Sequence, residues 1–462
     1  MRKLIFFLMT LTFAFSSAQE QDSLQLEFGE YMAIVKNFHP LVKQAGLVVD
    51  EGEFKLMKAR GAFDPKIAGG FSNKEFKGTE YYSLFDAAFK IPTYYGLEFN
   101  AKFEDNGGYY LNPQNTVPED GLFSAGVNLD ITNGLWMSER MASLKQAKIY
   151  REQTKAKRDI AVANVIYNAV NAYFEWYATY QELELYERFL DNAEFRLESV
   201  KTSFRAGDMP AVDTLEANTN YRNRKIQYQQ AQLDYTKSSL NLSNYLWTDN
   251  DVPVEITENV FPDEELFQEV DQLWIPNELN ALEDVENNPK IRSLEYDLDI
   301  RRVERDLMGN KLLPNIDLTY NFLTSEPREW RGLNTADYKF GLKLELPIFL
   351  RKERGNLQLA KVALENTRFE LISASREIEN KIQALQTEIA SFREQLVEMN
   401  ELVDNYDDLV SAEVRLFQLG DSSLFLVNNR ENSFISAKLK EISLQKKYLK
   451  SRAELKKITA NF

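Results

Sequence analysis

Phe204-Arg205-Ala206-Gly207-Asp208 and Phe417-Gln418-Leu419-Gly420-Asp421 are the two stretches that decide the fold of this chain. Both read Phe-x-x-Gly-Asp, and each interrupts a long run free of helix breakers. Upstream, Leu135–Ala206 holds 72 residues without glycine or proline, and Asn356–Leu419 holds 64. Downstream, Ala211–Val252 and Asp421–Phe462 hold 42 each. Glycine and proline are the residues least compatible with a helix interior, so these runs predict four very long helices. At 1.5 Å per residue the two longest would each extend about 100 Å. Apolar residues recur along them at helical spacing, as in Leu371, Ile378, Ile382, Leu385 and Ile389, or in Leu183, Tyr186, Leu190, Ala193 and Leu197. Such seams need a partner helix. A glycine accepts the left-handed conformation that closes a helix, and an aspartate just after it suits the cap of the next. The expectation is two helical hairpins that turn at Arg205–Pro210 and Gln418–Ser423.

Working outward, the halves repeat. His39-Pro40 and Asn288-Pro289 lie 249 positions apart, as do Asp64-Pro65 and Leu313-Pro314. The two Gly-Asp turns are offset by 213, so the first half carries an insertion of 36 residues between its second proline and its turn. Strands are expected between that proline and the long helix. Phe123, Ala125, Val127, Leu129 and Ile131 alternate with polar or small residues, as do Ile316, Leu318, Tyr320 and Phe322, and Phe340, Leu342, Leu344 and Leu346. This is the period of two that marks a strand with one apolar face. The first half has further candidates at Lys66–Asn73, Phe85–Ile91 and Leu97–Phe103, the last two joined through Pro92–Gly96 and filling much of the insertion. Arg328–Asp337 reads as a polar loop. The domain reading is a first repeat over 19–252 (strands about 63–132, helices about 135–206 and 211–250) and a second over 289–462 (strands about 315–348, helices about 356–419 and 421–460). Between them, 253–288 is an acidic, solvated connector with a short helix near Leu279–Val285.

Residues 1–18 have the three parts of a secretory signal: Arg2 and Lys3, an apolar run Leu4–Phe15, and Ser16-Ser17-Ala18 at the cleavage position. The apolar run is shorter than the roughly 20 residues a membrane span takes. There is no cysteine, which excludes disulfides, thiol chemistry and an acylated N-terminal cysteine. One histidine, His39, and no Asp-x-Asp-x-Asp loop leave no metal or cofactor site to propose. His39 reads as a turn residue before Pro40. The net charge of −16, or −18 without Arg2 and Lys3, lacks the basic footprint of a nucleic-acid binder. No Gly-x-Ser-x-Gly and no histidine placed for a triad argue against a hydrolase, and the chain is read as no enzyme. Beyond the leader no stretch reads as a transmembrane helix, whereas barrel strands, being apolar only at alternate positions, escape a hydropathy scan.

The order of parts resembles the outer membrane efflux protein (TolC) family. The resemblance covers essentially all of the chain after the leader. It rests on the His39-Pro40 and Asn288-Pro289 starts, the Pro65-Lys66-Ile67 and Pro314-Asn315-Ile316 strand openings, the long helices, the Phe-x-x-Gly-Asp turns and the twofold repeat. Gly355–Ala363, "GNLQLAKVA", is similar to the family's passage from strand to long helix, with Asn133–Ala147 as its counterpart. The resemblance implies a fold that is mainly α with β, in two tandem repeats of β-strands plus a long helical hairpin. It implies a homotrimer whose chains share one outer-membrane β-barrel, continued by a periplasmic α-helical tunnel. It implies a periplasmic adaptor and an inner-membrane pump as partners, with lipid around the barrel.

By position, the resemblance assigns the periplasmic tip, with adaptor contact and gating, to Arg205, Gly207, Asp208, Asp213, Gly420, Asp421, Ser422, Asn428 and Asn429. Asp213 matches a tip aspartate of the family. The second turn departs from the best-known members. Asn428 and Asn429 stand near the place of an acidic ring, and Ser422 in place of a locking arginine. Asp208 and Asp421 can supply negative charge instead, tripled by threefold symmetry, or act simply as helix caps. Tyr173, Phe174, Trp176, Tyr177 and Tyr180 read as packing between helices. Trp136 and Tyr109-Tyr110 fit either an interfacial girdle or ordinary packing.

The leading functional reading is a passive exit duct of a tripartite efflux or type I secretion system, carrying small molecules or ions. A protein-secretion duct and a soluble periplasmic coiled-coil scaffold or adaptor are the alternatives. An adaptor usually has one hairpin, not two in tandem. The number of strands per chain, four or six, stays open; the family favours four.

Overall fold

A computed structural model describes residues 24–132, 136–257, 259–268, 270, 274, 285–326 and 335–459. The leader, most of the short helix expected at Leu279–Val285 and most of the loop Arg328–Asp337 lie outside the described residues.

In chain order the elements are β1 (Leu24–Leu26), α1 (Phe28–Phe38), α2 (Pro40–Arg60), β2 (Lys66–Phe76), β3 (Thr79–Pro92), β4 (Leu97–Gly107), β5 (Leu122–Asp130), α3 (Glu139–Ala206), α4 (Ala211–Ser243), β6 (Val260–Pro262), α5 (Pro289–Asn310), β7 (Asn315–Thr324), β8 (Tyr338–Glu345), α6 (Arg351–Leu419) and α7 (Leu424–Thr459). Pro40 and Pro289 each open a helix, where the missing N–H costs nothing because that donor has no intrahelical partner. Asn288 caps α5 by accepting from the Lys290 N–H at 2.8 Å. The described residues fall into two compact units.

One unit draws on residues within Met1–His39, Asn168–Ile275 and Ile389–Ala453 and is helical. Leu197 and Val200 of α3, Ala217 of α4 and Leu424 of α7 form one buried cluster, with Tyr221 of α4 and Phe417 of α6 packed on it. All four long helices therefore meet in one bundle core. Along this unit's part of α6, Ile389, Leu396, Val403, Val410 and Phe417 recur every seven residues; the first three are buried and the last two half-buried. A strict heptad keeps one seam facing its partners. On α3 the buried stripe is Leu185, Phe189, Ala193, Leu197 and Val200, while Leu183, Tyr186 and Leu190 from the expected seam are only half-buried. Tyr173, Phe174 and Trp176 are fully buried, with Phe28 of α1 stacked within 5.7 Å of Phe174 and the Trp176 indole donating to Ser239 at 2.9 Å. His39 ends α1 and stacks on Tyr245 at 5.5 Å. Burial pushes its imidazole below the ordinary value.

Two expectations for this unit need correction. The connector is not simply solvated: β6 pairs in parallel with β1, and Leu266, Val270 and Trp274 are buried. And α4 stops at Ser243, short of 250, although no glycine or proline intervenes. The backbone instead tightens into turns through Leu246 and closes a bridge between Trp247 and Pro253.

The other unit draws on Pro40–Tyr167, Pro276–Glu388 and Glu454–Phe462 and contains the main sheet. Its order is β2-β3-β4-β5-β7-β8, antiparallel throughout, so the repeats join where β5 meets β7. Residues opposite one another in register share a face. Ile316, Leu318, Tyr320 and Phe322 of β7 stand opposite Leu344, Leu342, Phe340 and Tyr338 of β8. Leu129, Val127 and Ala125 of β5 continue that face, and Leu97, Phe99 and Ala101 of β4 continue it again. Asp317, Asp130, Lys343, Thr319, Asn128 and Glu98 take the opposite face. At Gly126 of β5 an added Cβ would lie 2.0 Å from the Tyr320 carbonyl oxygen, so only glycine fits that approach of the two repeats. The α6 helix starts at Arg351, earlier than 356, because Gly355 is accommodated inside its first turns.

Candidate functional site at the helical turns

Both turns lie in the helical unit and have the same backbone. Gly207 and Gly420 each take φ +86°. The Asp208 N–H donates to the Ser203 carbonyl at 2.9 Å and the Gly207 N–H to Phe204 at 3.1 Å. In the second turn Asp421 donates to Leu416 at 3.0 Å and Gly420 to Phe417 at 3.1 Å. This paired closure satisfies two carbonyls left open at a helix end and needs a residue with positive φ at its centre. Nothing lies within 4 Å of a Cβ placed on either glycine, so backbone conformation, not crowding, demands glycine.

The side chains around the two turns differ. Pro210 precedes α4 and caps nothing with its side chain. Ser423 precedes α7, and its hydroxyl accepts from the Leu426 N–H at 3.4 Å. The capping role expected of Asp208 and Asp421 thus falls to neither residue; both are exposed, as are Arg205 and Gly420. Asp213 sits half-buried in the first turn of α4. Ser422 hydrogen-bonds the Glu413 carboxylate, to which Arg430 also donates at 3.4 Å.

Asn428 and Asn429 part company. Asn429 is exposed, whereas Asn428 is buried between the hairpins. Its carbonyl accepts from Arg196 at 3.2 Å and its amide donates to Glu216 at 3.3 Å. Arg196 also makes a forked ion pair with Glu431, whose side chain is 2% exposed. Nearby, Arg224 donates to Asn432 at 2.8 Å. Burial pushes the Arg224 guanidinium below its ordinary value, and the Glu431 carboxylate offsets this only in part. Arg196, Glu216, Glu413, Arg430 and Glu431 are the residues that sequence reasoning misses. Charged residues recur throughout the helices that carry them, so nothing in the sequence singles these five out. Around the turns, Val212, Leu215, Leu419 and Phe425 are apolar and exposed.

Among the described residues no helix is long and apolar enough to cross a membrane, and no group of three or more His, Cys, Asp or Glu is placed to hold a metal ion.

A family model described as outer membrane efflux protein matches residues 100–246 and 283–461, and the chain belongs to that family. A search of curated protein sequences finds no match. Several solved structures share the fold. The CmeC outer membrane channel of Campylobacter jejuni is 15% identical, with a TM-score of 0.63 over 94% of this chain and 85% of that one. The MtrE outer membrane channel of Neisseria gonorrhoeae, in its open state, is 16% identical, with a TM-score of 0.64 over 93% and 88%. The outer membrane protein VceC of Vibrio cholerae is 10% identical, with a TM-score of 0.65 over 94% and 95%. The chain is an outer membrane efflux protein by family, and it shares its fold with solved outer membrane channels.

Proposed function

We propose that three copies of this chain form a passive exit duct through the outer membrane. Each copy gives its sheet to one shared barrel, and its helical hairpins continue that barrel as a periplasmic tunnel. The tunnel's closed end meets an adaptor and, through it, an inner-membrane pump that supplies the energy. Small molecules or ions are the cargo. The observation that carries this reading is the two-sided sheet. On β4, β5, β7 and β8 one face is mainly apolar and the other mainly polar, as a wall between lipid and a water-filled lumen requires. Its two edges are open, and open edges are not tolerated in lipid, so the sheet must close against other copies. Exposed Tyr109 and Tyr110 beyond one end of the strands, and Tyr95 and Trp136 beyond the other, suit the aromatic girdles of such a wall. A soluble scaffold would leave that apolar face in water.

At the tip, Arg205, Gly207, Asp208, Asp213, Gly420, Asp421, Ser422 and Asn429 form the contact and gating surface. The exposed Leu215, Leu419 and Phe425 give it an apolar part. Asn428 belongs instead to the network that holds the two hairpins together.

Membrane fractionation of a Gram-negative host tests the reading. The protein is expected in the outer-membrane fraction, running as a trimer in unboiled extracts. Recovery entirely in the soluble periplasm would sink it.

A further inference from the structure

The 36-residue insertion in the first repeat has a definite place in the sheet. In sequence, β2 corresponds to β7 and β5 to β8, so the added pair is β3 and β4. These two strands are not an appendage. They lie inside the sheet, between β2 and β5, and β2 reaches the rest of the sheet only through them. Their side chains keep the two-sided pattern. Phe89 stands opposite Ile67 on one side and Ala101 on the other, and Ile91 stands opposite Phe99. Lys90 and Asn100 face each other on the polar side. The turn between them is also tied in, since Tyr94 packs on the cluster of Met137, Met141 and Ala142. A hairpin standing outside the membrane as a surface loop would have no reason to carry a continuous apolar face.

Resting on the shared-barrel reading above, we infer that the inserted hairpin is part of the barrel wall and that each chain supplies six strands. The β8 edge of one copy then pairs with the β2 edge of the next. The two edge strands run antiparallel to one another within the sheet, so this closure keeps the alternation unbroken. Both edges are exposed: Ile67 is 85% and Leu344 66% accessible. Three copies give eighteen strands in place of twelve. At a strand spacing of about 4.8 Å and a tilt of about 40°, the barrel widens from roughly 24 Å to roughly 36 Å across. The insertion therefore enlarges the outer-membrane end of the duct.

The chain has no cysteine, so engineered thiols report alone. Single variants Phe71→Cys and Phe89→Cys on the apolar face, Ser72→Cys and Lys90→Cys on the polar face, and Leu318→Cys and Thr319→Cys on β7 as references would carry a fluorophore. The full-length protein would be placed in bilayers containing brominated lipid. Quenching at 71 and 89 as strong as at 318, with 72 and 90 as weakly quenched as 319, is expected. Quenching at 318 but not at 89, whatever the result at 71, would place the hairpin outside the wall and overturn the inference. No quenching at 318 either would overturn the barrel reading itself, and the inference with it. Paired thiols decide the closure. Oxidation should join Lys66→Cys, Ser72→Cys or Lys74→Cys on β2 to Lys339→Cys or Lys343→Cys on β8 of a neighbour, giving a covalent ladder that ends at three chains. A ladder from β8 to Lys102→Cys on β4 instead would overturn it.

Discussion

The two helical turns share one backbone and differ in what surrounds it. Both glycines sit at φ +86°, and both closures use the same pair of hydrogen bonds. Yet the second turn has a serine cap and a Ser422–Glu413–Arg430 cluster, while the first has Pro210 and exposed neighbours. Backbone conformation at a helix end is dictated by one glycine and two hydrogen bonds, so repetition preserves it. Side-chain surroundings are set by the residues that each hairpin's own two helices bring to the turn, in the second hairpin Glu413 and Arg430. The repeat thus conserves the hinge while leaving its fastenings free to diverge.

The largest effect expected is at the fastening that spans both hairpins. Arg196→Ala leaves Glu431 buried and unpaired and removes a partner of Asn428. Breaking a buried pair in this way costs about 3–5 kcal/mol. Denaturant unfolding of the detergent-solubilised protein should show it, together with faster proteolysis at both turns; loss at only one would break the view that the network is shared. Next come Gly207→Ala and Gly420→Ala. Each forces a side chain into a left-handed conformation at a cost of about 1–2 kcal/mol. The two losses in unfolding free energy should be equal, because space is open at both sites; a clear inequality would show that the surroundings reach the backbone after all. Smaller again is the cap. Ser423→Ala should cost about 0.5–1 kcal/mol, the lower part of the range for a cap, given its 3.4 Å bond. Faster amide exchange at the start of α7, with α4 unchanged, would check it.

How much of this is legible in the sequence differs by element. The turns are legible because a left-handed residue leaves a glycine behind. The α6 seam is legible at Ile378, Ile382, Leu385 and Ile389, which are all buried, because apolar residues there are sparse and strictly spaced. On α3 apolar residues crowd several faces, so periodicity selects Leu183 and Leu190 where packing buries Leu185 and Phe189. The end of α4 is hidden because a β-bridge, not a breaker, stops it. Lys66–Asn73 reads weakly as a strand because Gly69 and Gly70 interrupt its alternation, although β2 is one full edge of the sheet. Asn428 is the hardest case. A lone asparagine near a turn looks exposed, and only the facing Arg196 and Glu216 make it an internal residue.

The smallest effect separates the turn network from an ion pair elsewhere in the helical unit. Glu175 of α3 accepts from Lys446 at 3.0 Å and Lys450 at 2.9 Å, both on α7, and remains 38% exposed. Burial alone would raise its carboxyl, but the hydrogen bonds from Lys450 and Lys446 outweigh that and hold it below the ordinary value of 4.5. A carboxyl lowered on folding adds stability above its unfolded value and loses it as pH falls through the lowered one. Solvent screening keeps the contribution below about 1 kcal/mol. Glu182, one heptad along α3, is pushed up by burial and so has the opposite slope, favouring the fold more when protonated. Unfolding midpoints between pH 7 and pH 3 should therefore fall less steeply in Glu175→Gln than in the unaltered chain. Glu182→Gln should raise the midpoint at pH 7. If Glu175→Gln left the slope unchanged, this ion pair would contribute nothing to the acid sensitivity of the bundle, and its role would be confined to packing α7 against α3.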